Sequence, residues 1–423
     1  MNFSKHRFFS SESIIIFIIG ILITSQTIAG DWPQWRGPER NGFSQEKNLL
    51  KSWPEDGPEL LWSKEELGKG FSSVSIAKGR LYITGVVDDQ EMLTVLDLDG
   101  TIQWQTVYGP FWEDSYPEAR TTPTVDGDQI FVVSGMGKVV CIDVSSGKIK
   151  WSVDSIDDFD GEIHRYGIAE SPLVFDNKII CSPGGSDASV IALDKNSGEL
   201  IWQSKTLSEM ANYCSPILIN KGNKKIIATQ LAESFVGLDA ADGSVLWRDK
   251  YEEYQDDPKD LNINSPLYHD GSLYVTSGYD NAGAMYELSD DGTKLNRKWI
   301  SQTLDVHIGG IVRVDNYIYG ANWEDNKNGN WVCLDWNTGK VMYEEKWITK
   351  GSIITADGML YCYEEKNGNL ALVKATPEKF DKVSSFKIPL GRGPHWAHPS
   401  ISDGKLYVRH GEALMVYDIR NKK

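Results

Sequence analysis

Cys141-Ile-Asp-Val-Ser-Ser-Gly-Lys-Ile-Lys-Trp151 is the stretch from which the rest of the chain can be read. It returns as Ala192-Leu-Asp-Lys-Asn-Ser-Gly-Glu-Leu-Ile-Trp202, and again from Gly237 to Trp247 with Asp239, Gly243 and Trp247 in the same places. Cys333 to Tyr343 carries Tyr where the others carry Trp, and Val95 to Trp104 is one residue shorter. An Asp-x-x-Ser-Gly sequence between two apolar alternations is a hairpin turn. The Asp or Ser side chain can take nearby backbone N–H groups, and Gly supplies the positive φ of a tight turn. The unit is a β-hairpin written five times.

Each copy follows a second hairpin, with turns at Asp126-Gly127, Asp176-Asn177, Asp270-Gly271, Asp315-Asn316, Asp357-Gly358 and Asp403-Gly404. Two hairpins in series make a four-stranded meander, A to D, with an aromatic residue near the end of D. The spacing predicts such blades over 73–104, 122–151, 171–202, 215–247, 265–299, 310–343 and 352–386. An eighth begins at His398 and stops after Val416-Tyr417-Asp418 with no strand D. At the other end of the chain, Glu59-Leu60-Leu61-Trp62-Ser63 reads as a strand D with no A, B or C before it. Pairing the two loose ends closes a ring and removes an exposed sheet edge. The markers Trp62, Trp104, Trp151 and Trp202 recur at the roughly 40–50-residue period of propeller blades. The expected fold is all-β, a closed eight-bladed β-propeller. The weak C–D segment around Pro377 makes seven blades the alternative.

Residues 1–29 read as a secretory signal peptide. Lys5, His6 and Arg7 precede an apolar run from Ile14 to Ile23 and then Thr27-Ile28-Ala29. The run is short for a bilayer span and no second one follows. The expectation is an exported protein, periplasmic or extracellular, without stable membrane insertion after cleavage. The first cysteine is Cys141, so no lipid-attachment site is expected. Residues 30–58, opening Asp31-Trp-Pro-Gln-Trp-Arg-Gly-Pro38, read as an extended arm with Trp32 and Trp35 packed on the body, and 59–423 as the propeller. A formal net charge of −17 disfavours nucleic acid and anionic membranes as partners. Five scattered cysteines with apolar neighbours argue for buried thiols rather than a disulfide framework.

The repeat Ala-x-Asp-x-x-Ser/Thr-Gly-x-x-x-Trp resembles the quinoprotein-type, or PQQ-like, repeat. Leu193-Asp194, Ser197-Gly198 and Trp202 match it, as do Asp143, Ser146, Gly147 and Trp151. The likeness implies that Trp104, Trp151, Trp202 and Trp247 pack between blades. Proteins with this repeat include quinoprotein alcohol dehydrogenases and the non-catalytic outer-membrane assembly factor BamB, so the fold does not decide the function. In the dehydrogenases a Glu, an Asn and an Asp hold calcium beside the quinone. By that resemblance Glu170, Asn264 and Asp305 are the metal ligands to test, with pyrroloquinoline quinone as the cofactor. The vicinal cysteine pair and the haem motif of those enzymes are absent from this sequence.

Propeller topology puts the A–B and C–D turns on one face and the longer D–A and B–C loops on the other. Binding residues belong on the second face. The candidates there are Arg120, His164, Glu170, Asn264, His307, Trp396 and His398. The histidines come from different blades and match no zinc spacing. No nucleophile elbow or phosphate-binding loop occurs. The sequence favours an exported, non-catalytic binding or scaffold propeller that takes a protein or carbohydrate partner and needs no cofactor. The expected absence of a lipid-attachment cysteine separates it from a BamB-type assembly role. The alternative is an alcohol or sugar dehydrogenase dependent on pyrroloquinoline quinone and calcium.

Overall fold

The computed structural model describes residue 1, residues 30–251 and residues 261–422. Apart from Met1, the signal peptide read over 1–29 lies outside the described residues. The described residues form eight antiparallel sheets in which the four strands A to D follow one another, blade by blade. Blade 2 shows the pattern: Thr124–Asp126, Gln129–Val133, Lys138–Asp143 and Ile149–Asp154. Blade 7, weak in sequence, is fully formed by Gly351–Ala356, Met359–Glu364, Asn369–Lys374 and Asp381–Lys387. The ring therefore has eight blades and not seven.

Closure follows the split repeat. Glu59–Lys64 is strand D of blade 8 and runs antiparallel to Ala413–Asp418, with Leu60 opposite Tyr417 and Trp62 opposite Val416. The Asp-x-x-Ser-Gly turn forms as its chemistry dictates. Asp143 Oδ1 accepts the N–H groups of Ser145 and Ser146 at 3.1 and 2.8 Å, and Gly147 takes φ +68°.

One device repeats in every blade: the C–D ladder slips by one residue, just before the aromatic residue in seven blades and before Ser384 in blade 7. Such a bulge bends the strand and re-aims its side chains. In blades 8, 1, 2, 3 and 5 the Trp behind it meets the turn glycine of the next blade. A Cβ on Gly100, Gly147, Gly198, Gly243 or Gly339 would lie within 3 Å of Trp62, Trp104, Trp151, Trp202 or Trp299 respectively. Trp247 differs because blade 5 has the longer turn through Gly292. Its ring covers Gly237 of its own blade and packs on Phe235. The interleaved cores also lie between neighbours; one joins Tyr82, Leu93 and Val95 of blade 1 to Ile130, Val132 and Val140 of blade 2. All five cysteines are buried and unpaired.

Towards the axis, hydroxyl side chains at the entry to strand A stitch blade to blade. The backbone N–H groups of Ser73, Thr122 and Ser171 donate to the hydroxyls of Thr122, Ser171 and Ser215 at 2.9–3.0 Å. Ser73 Oγ in turn donates to the His398 carbonyl at 2.9 Å, across the closure.

The arm does more than lie on the body. Trp32 bridges Ile76 through two 2.8 Å backbone bonds, after which the chain enters the axial channel. There Arg36 donates to the carbonyls of Ile311 and Ile353 and to His398 Nδ1 at 3.0 Å. Arg40 donates to the carbonyls of Ser171 and Pro172 at 2.7 and 3.1 Å. Both guanidiniums are buried, and that burial lowers them to about 9 and about 10. Phe43–Ser44 then leaves along strand A of blade 7 as a fifth, parallel strand. The loop 32–42 is a stopper whose two arginines grip blades 3, 6, 7 and 8. Trp32 packs on the ring as expected, whereas Trp35 sits inside it.

Candidate binding site

Above the stopper, on the face of the D–A and B–C loops, opens a bowl of about 570 Å³. Its lining is set by register. The residue four before the start of strand A faces inward in seven blades: Phe71, Arg120, Ala169, Tyr213, Ile263, Ile308 and Trp396. Trp35 closes the bottom, its ring tilted on His398 at 4.6 Å and its Nε1 donating to Ser265 Oγ at 3.3 Å.

One wall is a chain of aromatic rings. Trp396 packs on Phe71 at 5.0 Å and on Tyr116 at 4.8 Å, and Tyr166 joins Tyr116 to Tyr213. A second part of the lining is polar. His307 Nε2 is 2.7 Å from the Tyr279 hydroxyl, and both rings pack on Trp323. Lys350 Nζ lies 4.9 Å from the Trp323 ring and 2.9 Å from Glu365 Oε1. Burial, reinforced by Lys350, lowers His307 to about 3, so its imidazole is neutral. Burial raises the Glu365 carboxyl, and Lys350 opposes that rise.

Of the residues singled out from sequence, Arg120, His307, Trp396 and His398 line the bowl. Arg120 is spent on the loops, donating to the carbonyls of Ser115, Tyr116 and Tyr166. His398 is spent on the stopper. It accepts from Arg36 at Nδ1, leaving Nε2–H to donate to the Ile308 carbonyl at 2.9 Å, and burial lowers it to about 3. His164 stands behind the wall, bonded through Nδ1 to the Tyr213 hydroxyl. Glu170 and Asn264 are buried outside the lining.

The set read as a possible calcium site is wired differently. Asn264 Nδ2 donates to the carbonyls of Val306 and His307 at 2.6 and 2.8 Å, and its Oδ1 accepts from Gly310 N–H at 3.0 Å. Asp305 accepts the N–H groups of Asp280 and Trp323, one on each oxygen. Glu170 lies beside Ser182 and Arg40, and burial raises it to about 8, which favours the neutral acid. A calcium site needs several oxygens turned to one point. These three side chains are turned to three different sets of partners and do not fit one. Among the described residues no cluster of three or more His, Cys, Asp or Glu is placed to hold a metal ion.

Phe71, Tyr213, Tyr279 and Glu365 were missed by sequence reasoning. The signal that finds the first two is the position two before each strand-A hydroxyl. Tyr279 and Glu365 sit in short B–C loops with no motif to mark them.

The fold and the bowl define a repeat propeller of the PQQ-like class, stoppered on one side of its axis and open on the other. The chain belongs to the family described as outer membrane protein assembly factor BamB, whose profile matches residues 109–349. Over 269 residues it is 26% identical to the outer membrane protein assembly factor BamB of Moranella endobia (strain PCIT), a match spanning 59% of this chain and 63% of that one. The chain thus covers less than two thirds of that relative's own length. Among solved structures, BamB from Moraxella catarrhalis superposes with a TM-score of 0.62 at 14% identity, covering 86% of this chain and 98% of that one. Quinohemoprotein alcohol dehydrogenase from Comamonas testosteroni superposes with a TM-score of 0.67 at 14% identity, covering 93% and 81%. At such identity both are likenesses of fold.

Proposed function

We propose that this chain is an exported, non-catalytic binding propeller that presents the bowl on its D–A/B–C face to a partner at the cell envelope. One observation carries the reading. Four polar groups at the channel mouth are committed to holding loops and stopper in place, whereas the aromatic rings of the bowl are left to a ligand. Arg120, Asn264, Asp305 and His398 each spend their hydrogen bonds on backbone or on Arg36. Kinship with outer membrane protein assembly factors supports a partner in envelope assembly. The net charge of −17 argues against nucleic acid.

The competing reading is the dehydrogenase, and one experiment separates the two. Purified protein is incubated with pyrroloquinoline quinone and calcium chloride, then assayed for dye-linked oxidation of primary alcohols and aldoses. No turnover is expected. Quinone-dependent turnover that Glu170→Gln abolishes would overturn the binding reading.

A further inference from the structure

Two polar atoms at the bowl have no partner. His307 Nδ1 and Glu365 Oε2 are buried and without a hydrogen bond, and both residues belong to the lining. A buried polar atom left unpaired is costly, so each such atom asks for an explanation. The two lie on the same wall, linked through Trp323 and Lys350: His307 packs on Trp323, Lys350 sits over Trp323, and Lys350 pairs with the other oxygen of Glu365.

The chemistry of the missing partner can be worked out. His307 is bonded at Nε2 to the Tyr279 hydroxyl, which can donate or accept. Its Nδ1 is then a donor in one tautomer and an acceptor in the other. A hydroxyl satisfies either. Glu365 Oε2, beside an oxygen already held by Lys350, can accept a hydrogen bond from a hydroxyl. The same bowl is lined by Trp396 and Tyr116, packed on each other at 4.8 Å, and aromatic rings suit the C–H face of a non-planar ring. A ligand with many hydroxyls on one edge and an apolar face on the other is a sugar.

We propose that the bowl is a saccharide seat in which Trp396 and Tyr116 stack a sugar ring while the His307 and Glu365 side chains turn into the bowl to take its hydroxyls. This rests on the binding reading above and names its ligand class. The stopper decides which saccharide fits. Trp35 and Arg36 close the axis, so a polymer cannot thread the ring, and about 570 Å³ holds a chain end or short oligosaccharide. A peptide fits less well. The carbonyls of Ser115, Tyr116 and Tyr166 at the rim already accept from Arg120, and those of Val306 and His307 from Asn264. Little main chain is left to pair with a peptide backbone.

The test is calorimetric titration, with tryptophan fluorescence as second readout. The probes are trisaccharides of α- and β-linked glucose, galactose, mannose and N-acetylglucosamine, with the tripeptide Gly-Tyr-Gly beside them. They are run on wild type, Glu365→Gln and Trp396→Ala, with the melting temperature of each variant recorded. The expected result is saturable binding of at least one trisaccharide, weakened tenfold or more by each substitution. Glu365→Gln keeps shape and should fold, so it decides the outcome if Trp396→Ala does not fold. No saccharide binding across the panel, or binding that Glu365→Gln leaves unchanged, overturns the proposal. If the tripeptide alone binds, the saccharide seat is wrong and the binding propeller stands. Quinone-dependent turnover is the separate result that would remove the binding reading itself.

Discussion

Trp151 of blade 2 is capped by Gly198 of blade 3. Its Nε1–H donates to the Lys195 carbonyl at 3.0 Å, and a Cβ on Gly198 would come within 2.8 Å of its ring. The turn of one blade is thus shaped to receive the aromatic residue of the blade before it. Gly198 also holds φ +78°, where a side chain costs about 1–2 kcal/mol on backbone grounds alone. Gly198→Ala should destabilise by more than this, because the methyl also meets the ring. Urea denaturation of Gly198→Ala, Trp151→Ala and the double variant checks it: the double variant should lose less than the two single losses added together. Trp202, 7% exposed and bonded to the Ala240 carbonyl, should cost about 3–5 kcal/mol on truncation to Ala.

Removing residues through Ser63 takes away both the closing strand and the stopper. Ala413–Asp418 would then be the bare outer edge of a three-stranded blade. Size-exclusion chromatography should show aggregation, or thermal melting a large loss of stability. A truncated protein that melts cooperatively at the parent temperature would show that closure contributes nothing.

Arg36 deserves a separate substitution. Arg36→Met keeps most of the volume but leaves the carbonyls of Ile311 and Ile353 without this donor inside the ring. At about 1–3 kcal/mol for each buried group left unpaired, the expected loss is several kcal/mol. Hydrogen exchange should rise in residues 31–44 more than in the blade cores.

The eight-fold pattern was legible because each blade carries its own turn chemistry, and even the ring closure could be read from a strand D that lacked its sheet. Residues such as Asp143 and Gly147 act locally, within one turn, and local rules suffice for them. The stopper was not legible. Nothing in Asp31-Trp-Pro-Gln-Trp-Arg-Gly-Pro38 says that Arg36 will meet carbonyls on blades 6 and 7, since those acceptors are main-chain atoms that any sequence possesses. The candidate site was half legible for the same reason. Trp396 and His307 announce themselves by residue type in long loops, but Glu365 gains its meaning from Lys350 and from the unpaired oxygen, which only the assembled ring creates.

Stability should have an acid-side and a base-side limit. Burial raises Glu170 to about 8 and Glu91 and Asp305 to about 7. The folded state keeps protons that the unfolded chain releases, so stability falls as pH rises from about 4.5 to about 8. Burial lowers His307, His395 and His398 to about 3, and there the unfolded chain binds the extra protons. Those groups make stability fall as pH drops from about 6.5 to about 3. The two sets oppose each other between about 4.5 and 6.5, where the maximum should lie. Above 6.5 the carboxyls act alone, and Glu170→Gln should flatten that decline. Denaturation midpoints from pH 4 to 8.5 test both points.

The five thiols offer a check on the core that needs no variant. Each is buried and unpaired. A thiol-reactive chromophore should register almost no reaction with native protein and five equivalents in denaturant. Rapid labelling of any cysteine without denaturant would contradict the placement of that strand.

Arg36 and His398 touch although 362 residues separate them in the chain. The same is true in kind of Leu60 and Tyr417. These two contacts must therefore wait until the last blade exists, even though Trp32 and Arg40 have partners on blades 1 and 3. Ring closure is thus expected to be a late, latch-like step of folding. Contacts so distant along the chain form slowly, and until they do a partner edge is exposed. Refolding from denaturant should accordingly bring blade packing first, reported by burial of the thiols. Protection of residues 32–44 should follow in a separate, later phase, together with resistance to aggregation.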